Sequence, residues 1–239
     1  ALKVWNHRVA RYVDLAKRRR RVRRDCRRAT KHRESQTAFG LPPAEADIMD
    51  PHQRLALEEG YLALHGASLR RGSLMNSVTG VFGGLWPSDY STVLPKRGAL
   101  GRGPFAVAAT GPAMLVGRLS YTLGMQGPSI AFDTACSASL SAFQAAMYAQ
   151  NHQDSEAALV LGVNVMCDSA MSQLFAAAHM TSPTGKSHTF DARANGYARG
   201  EACCCVVLLP RCCSAWASGR AEVQRRLARP MSQRCPHPC

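Results

Sequence analysis

The stretch Pro128-Ser-Ile-Ala-Phe-Asp-Thr-Ala-Cys-Ser-Ala-Ser-Leu140 constrains the fold of this chain more than any other. Ile130 to Phe132 reads as a short buried strand, and the small residues that follow read as a sharp turn. The helix after it runs through Leu140, Phe143 and Met147. A strand that passes straight into a helix commits the chain to a sheet with a helix laid on it. The junction places Cys136 where the first free N–H groups of the helix face its sulfur, a setting that favours negative charge and nucleophilic use. Ala135, Ser137, Ala138 and Ser139 are small enough to let a substrate approach, as in the elbow that carries a nucleophilic serine. A buried cysteine packing as a small hydrophobe is the plainer alternative.

The words around Cys136 decide between the two. Asp133-Thr-Ala-Cys-Ser-Ala-Ser139 closely resembles the active-site signature of the β-ketoacyl synthases, the condensing enzymes of polyketide and fatty-acid synthesis. Further segments match in the same order. Pro43-Ala-Glu-Ala46 is followed by Met49-Asp-Pro-His-Gln-Arg-Leu55, then by Gly117-Arg-Leu-Ser-Tyr-Thr-Leu-Gly124 with Gly127-Pro-Ser129. Gly162-Val-Asn164 and Met180-Thr-Ser-Pro-Thr-Gly185 come next, and then Thr189-Phe-Asp191 with Gly196-Tyr-Ala-Arg-Gly-Glu201. The resemblance covers roughly residues 40–209 and corresponds to less than half of the family's domain. It implies an α/β chain with a partial thiolase-like fold, about one half of a two-half architecture, flanked by poorly ordered basic ends.

The resemblance also implies a chemistry. Such an enzyme takes an acyl chain from a phosphopantetheine thioester onto its cysteine, here Cys136. It then decarboxylates a malonyl-type extender, whose carbanion attacks the acyl-cysteine. The implied partners are an acyl carrier protein bearing the phosphopantetheine, acyl and malonyl thioesters, and a second copy of the complete domain; no bound cofactor is expected. The family polarises the malonyl carbonyl with two histidines in His-Gly-Thr-Gly-Thr and Asn-Ile-Gly-His motifs. The histidines after Cys136 are His152, His179, His188 and His237, and none stands in such a motif. These residues are therefore expected to supply the nucleophile without the decarboxylation apparatus. The enzymatic alternative is a hydrolase or single-site acyltransferase pairing Cys136 with another histidine.

Charge divides the chain along the same lines. The net charge is +14, which on one folded face would suggest a nucleic-acid or membrane partner. Residues 1–40 hold 14 Lys/Arg against 3 Asp/Glu, and residues 211–239 hold 6 against 1. The body between them carries a slight acidic excess. We therefore expect a disordered basic arm over 1–40, a partial synthase N-terminal region over 41–209, and a disordered Arg/Cys/Pro-rich tail over 210–239. A non-catalytic protein whose basic ends bind nucleic acid or anionic lipid is the alternative from the binding side. Without a long apolar run or a signal-like segment near residue 1, an intracellular, non-secreted protein of cytoplasm or plastid is expected, with free thiols.

The remaining elements follow from local patterns. Asp50, Pro51 and Gln53 predict a helix start with a capping box, the helix running through Leu55, Glu58, Tyr61 and Leu62 to Gly66, with His52 on the surface. Strands are predicted at Val78–Gly84, Ala157–Met166 and Cys203–Leu209, and helices at Pro112–Leu123 and Ser169–Ala178. Met114, Leu115, Leu119 and Leu123 form the apolar face of the first of these helices. By resemblance, Phe190 lies near the acyl pocket as a substrate-binding residue. Asp191, in the same word, is expected to play a structural role, and Arg118, Arg199 and Glu201 to hold loops by ion pairing. No metal site is expected. On a strand, Cys203, Cys204 and Cys205 point to alternate faces and cannot converge on one ion. Cys235-Pro-His-Pro-Cys239 has a spacing zinc tolerates but needs ligands from elsewhere.

Overall fold

The computed structural model describes residues 5–6, 39–98 and 103–210. The expected disorder of the two basic ends falls almost wholly on residues outside these. Trp5–Asn6, inside the expected arm, form a two-residue strand, β1, paired with the last strand of the sheet.

Helix α1 (Pro43–Ile48) leads to α2 (Pro51–Gly66) and the single turn α3 (Arg71–Leu74). Strand β2 (Thr79–Leu85) is followed by the short helices α4 (Tyr90–Val93) and α5 (Ala106–Ala109), then by α6 (Pro112–Leu123). Next come β3 (Ser129–Phe132), α7 (Ala138–Asn151), β4 (Ala157–Asn164), α8 (Ala170–Ala177) and β5 (Ala202–Leu208). The sheet order is β1-β5-β4-β2-β3. β2 runs parallel to both β3 and β4, whereas β5 is antiparallel to β4.

Period-two alternation sorts the strand residues onto two helical layers. Val81, Leu85, Leu159, Leu161, Val163, Cys205 and Val207 face α2 and α6, packing with Ala56, Leu57, Leu64, Leu115, Leu119 and Leu123. Phe82, Ala158, Val160 and Leu208 face the other way and pack with Ala142, Ala146 and Ala149 of α7. β4 is the central strand, and Ala157 to Leu161 are all buried on it, as the apolar run predicts. No helix among the described residues is long and apolar enough to cross a membrane.

Helix boundaries agree with the punctuation in the sequence. α6 starts on Pro112 and ends at Gly124, whose φ of 71° is the left-handed cap that glycine adopts without penalty. Helix faces were less legible. On α2 the buried positions are Ala56, Leu57, Gly60, Ala63 and Leu64, and Leu62 is exposed. On α6, Leu115, Leu119 and Leu123 are buried as expected, but Met114 is exposed and Val116 takes its place. On α7 the buried face is Ala138, Ala142, Ala146 and Ala149, and Leu140 is 70% exposed. β3 is an edge strand rather than a buried one, with Ser129 and Ile130 exposed.

The start of α2 also differs from expectation. The Asp50 carboxylate accepts from the N–H of His52 at 2.8 Å, but Gln53 does not turn back to complete a capping box. Its amide donates instead to the carbonyls of Ala108 and Ala109, and its oxygen accepts from Arg118 Nε at 2.7 Å. Arg118 goes on to pair with Glu45 and to donate to Ala108. The segments 43–55 and 117–124 thus meet in one polar knot binding α1, α2, α5 and α6. His52, expected on the surface, is 3% exposed; its Nε2 accepts from the N–H of Val165 at 2.7 Å, just past the end of β4.

Candidate functional site

The parallel strands β3, β2 and β4 deliver their C-terminal ends to one side of the sheet, where open α/β proteins place their ligands. β3 ends at Phe132 and α7 begins at Ala138, so the intervening residues must reverse the chain quickly. They do so through Ala135, whose φ of 54° is left-handed. A non-glycine residue there costs on the order of 1–2 kcal/mol.

Several hydrogen bonds hold this turn. Asp133 Oδ1 accepts from the N–H of Ala135 at 3.2 Å, and Ser137 Oγ donates to the carbonyl of Thr134 at 2.9 Å. The N–H of Ser137 reaches the same carbonyl at 3.3 Å, and Thr134 Oγ1 lies 3.0 Å from Ser141 Oγ. Cys136 sits in the middle of a 3₁₀ turn, Ala135–Ser137, that runs directly into α7. Its thiol is free and exposed. No side chain caps α7, and the N–H of its first residue, Ala138, bonds back to the carbonyl of Ala135 within the 3₁₀ turn.

Close docking of α7 on the sheet places the turn. Gly84 and Gly162 are cross-strand partners on β2 and β4. A Cβ at Gly84 would lie 2.2 Å from the backbone nitrogen of Ser139, and one at Gly162 would lie 3.0 Å from Ser139 Cβ. Two glycines side by side form a pit in the sheet, and the first turn of α7 rests in it.

The other predicted residues gather elsewhere. Phe190 is fully exposed, with a φ of 60°, in the long connection before β5. Asp191 pairs at 2.6 Å with Arg193, whose guanidinium holds its carboxyl below the usual range. Arg118 holds its surroundings by ion pairing, as expected. Arg199 and Glu201 hold theirs differently: Arg199 donates to Ser172 Oγ at 2.9 Å and stacks over Phe175, and Glu201 accepts from the N–H of Met166. Cys203 and Cys205 share one face of β5 while Cys204, opposite Gly162, is on the other. The hydrogen bond with Cys203, and then burial, push the Cys205 thiol up. Among the described residues no cluster of three or more His, Cys, Asp or Glu is placed to hold a metal.

Sequence reasoning missed the residues that fix the end of β4. Asp89 accepts from the N–H groups of Cys167 and Asp168, at 2.9 and 3.0 Å, and His52 holds Val165. A shallow depression opens here between Trp86, Asp89, Asn164, Phe175 and Arg199; Cys136 does not line it. An acidic residue in a loop, bonded to a loop far along the chain, carries no local pattern that could reveal it.

Comparison with known proteins identifies the arrangement. The family model described as "Beta-ketoacyl synthase, N-terminal domain" matches residues 7–212. The chain is 43% identical over 175 residues to highly reducing polyketide synthase 40 of Fusarium pseudograminearum, covering 72% of the chain and 7% of that protein. It is 39% identical over 181 residues to a mycocerosic acid synthase-like polyketide synthase of Mycolicibacterium smegmatis, covering 76% of the chain and 8% of that protein. Among solved structures, the ketosynthase from module 6 of the Bacillus subtilis 168 bacillaene synthase aligns with a TM-score of 0.66 at 32% identity, over 76% of this chain and 30% of that one. An oxazolomycin ketosynthase domain from Streptomyces albus JA3453 aligns with a TM-score of 0.68 at 32% identity, over 77% and 32%.

The class is that of the ketosynthases, α/β proteins of thiolase-like fold. The chain belongs to the β-ketoacyl synthase family and matches its N-terminal domain. It spans about 7% of the length of the fungal relative and about 30% of the bacillaene ketosynthase. Neither the family match nor the neighbours support the alternative of a non-catalytic nucleic-acid or lipid binder.

Proposed function

We propose that this chain carries the acyl-accepting half of a ketosynthase reaction, with Cys136 as the nucleophile. The observation that carries the proposal is an exposed, free thiol held in a tight strand-to-helix turn, in a member of this family. In the step itself the Cys136 sulfur, as thiolate, attacks the carbonyl carbon of an acyl-phosphopantetheine thioester. The tetrahedral oxyanion collapses, the carbon–sulfur bond to phosphopantetheine breaks, and the departing thiolate takes up a proton from solvent. The backbone N–H of Cys136 serves as one donor for the oxyanion. The partner is an acyl carrier protein, and the substrates are acyl and malonyl thioesters inside the cell. Phe190, whose ring is bare, serves as a contact for the acyl chain. The free edge of β3 is the surface for pairing with a second copy in the complete domain.

Condensation is a separate demand. His152 and His179 are exposed, and His52 is buried with its ring committed to Val165. Removing a single oxyanion donor commonly lowers a rate by about 10²–10³. The 239 residues are therefore expected to accept an acyl group without forming detectable ketoacyl product. Incubation with an acyl-pantetheine thioester, followed by site-resolved mass spectrometry, should show the acyl mass on Cys136 and none after Cys136→Ala. Acylation of Cys204 in preference to Cys136 would overturn the assignment. An extended product lost in Cys136→Ala would show that a histidine of this chain supports decarboxylation.

A further inference from the structure

We propose that the cross-strand pair Gly84 and Gly162 are positioning residues that set the height of Cys136 above the sheet. The proposal rests on the reading of Cys136 as acyl acceptor and adds what aims it. Glycine in the middle of two paired strands weakens a sheet, so its presence calls for a close approach. The approach is visible: a Cβ at Gly84 would lie 2.2 Å from Ser139 N, 2.3 Å from Ser139 Cα and 2.4 Å from the carbonyl carbon of Ala138. All three are backbone atoms, so the obstruction can be relieved only by moving the helix. At Gly162 the nearest atom is Ser139 Cβ at 3.0 Å, then its Oγ at 3.6 Å, so that obstruction lies in a side chain.

Movement at Ser139 reaches Cys136, because the 3₁₀ turn and α7 are continuous. Farther along, Ala142, Ala146 and Ala149 stay packed on Phe82, Ala158 and Val160. A methyl group in the pit therefore tips α7 up at its N-terminal end, about a pivot farther along, and the reacting thiol moves with it. A misplacement of about 1 Å can cost about 10²-fold in a reaction that needs alignment. Simple alkylation of an exposed thiol needs little alignment, so acyl transfer and alkylation should separate.

The test measures both rates at Cys136 in the 239-residue chain, with an acyl-pantetheine thioester and with iodoacetamide, and follows the fold by circular dichroism. Gly84→Ala should slow acylation at least about tenfold and Gly162→Ala, where Ser139 need give only a few tenths of an ångström, about threefold, while alkylation changes less than about twofold in either. Ser139→Gly should restore acylation in Gly162→Ala but not in Gly84→Ala. Gly83→Ala is the control: its Cβ would meet Val116 Cγ1 at 2.6 Å, on the opposite face, and should leave the ratio of the two rates unchanged. If Gly84→Ala fails to fold, the Gly162→Ala and Ser139→Gly pair still decides. Wild-type acylation with an unchanged rate in Gly162→Ala, or slowing that Ser139→Gly does not reverse, overturns the positioning role. A wild-type chain that takes no acyl group on Cys136 overturns the acyl-acceptor reading and this inference with it.

Discussion

Two buried polar residues make opposite predictions about charge. Arg118 lies under α1 and α2 with its guanidinium shared among Glu45, Gln53 and the carbonyl of Ala108. Arg118→Ala leaves the Glu45 carboxylate without its cation, and breaking a buried pair in this way costs about 3–5 kcal/mol. Urea unfolding should show a loss of that size, and a loss below about 1 kcal/mol would refute the knot's importance. Asp50 is the reverse case. Burial raises its carboxyl pKa above the ordinary aspartate value, an effect only partly offset by His52. The folded state then holds the proton to higher pH than the unfolded chain does. The stability Asp50 contributes is full below about pH 4 and is lost as pH rises through the raised pKa. Asp50→Asn keeps an acceptor for the His52 N–H and removes that slope. Its stability relative to wild type should therefore rise between about pH 4 and pH 7, whereas parallel stability curves would contradict it.

At the scale of elements, α7 separates pattern from packing. Leu140→Ala removes a large apolar side chain that the sequence places in the core, yet it should change stability by less than about 0.5 kcal/mol because the residue faces solvent. Ala146→Leu, at a fully buried position, should cost about 1–3 kcal/mol by overpacking. Thermal unfolding of the two variants checks the contrast, and the opposite ranking would return Leu140 to the core. The reason the pattern misled is physical. α7 lies so close to Gly84 and Gly162 that only alanine fits beneath it, and the larger side chains stand to its sides. Local signals that need no partner were legible: Pro51 and Pro112 as helix starts, Gly66 as a stop, and the apolar run of β4 as a buried strand. Cys136 was legible through its neighbours in sequence. The left-handed Ala135, the burial of His52 and the grip of Asp89 on the residues after β4 are products of tertiary contact and leave no mark on spacing.

The whole molecule keeps a good deal of apolar surface in water. Tyr121 is 90% exposed, Val107 85% and Leu174 61%, and α8 buries none of its residues. Several hundred Å² of such surface at ~25 cal/mol per Å² is worth on the order of 10 kcal/mol, as much as a whole domain's stability. The 239-residue chain should therefore self-associate or capture a partner. Sedimentation showing only monomer at micromolar concentration, together with a sharp thermal transition, would contradict this. The place of β5 bears on the same hazard during synthesis. β4 is paired on one side with β2, but its other side waits for a strand that is made later and runs the opposite way. Between the end of β4 at Asn164 and the start of β5 at Ala202, a ribosome adding about 5–20 residues per second needs some seconds. Throughout that interval Leu159 and Leu161 lie along an open hydrogen-bonding edge, and a neighbouring nascent chain on the same message offers an identical one. The rate of translation across residues 165–201 thus bears on yield: slow codons there lengthen the exposure, and fast ones shorten it.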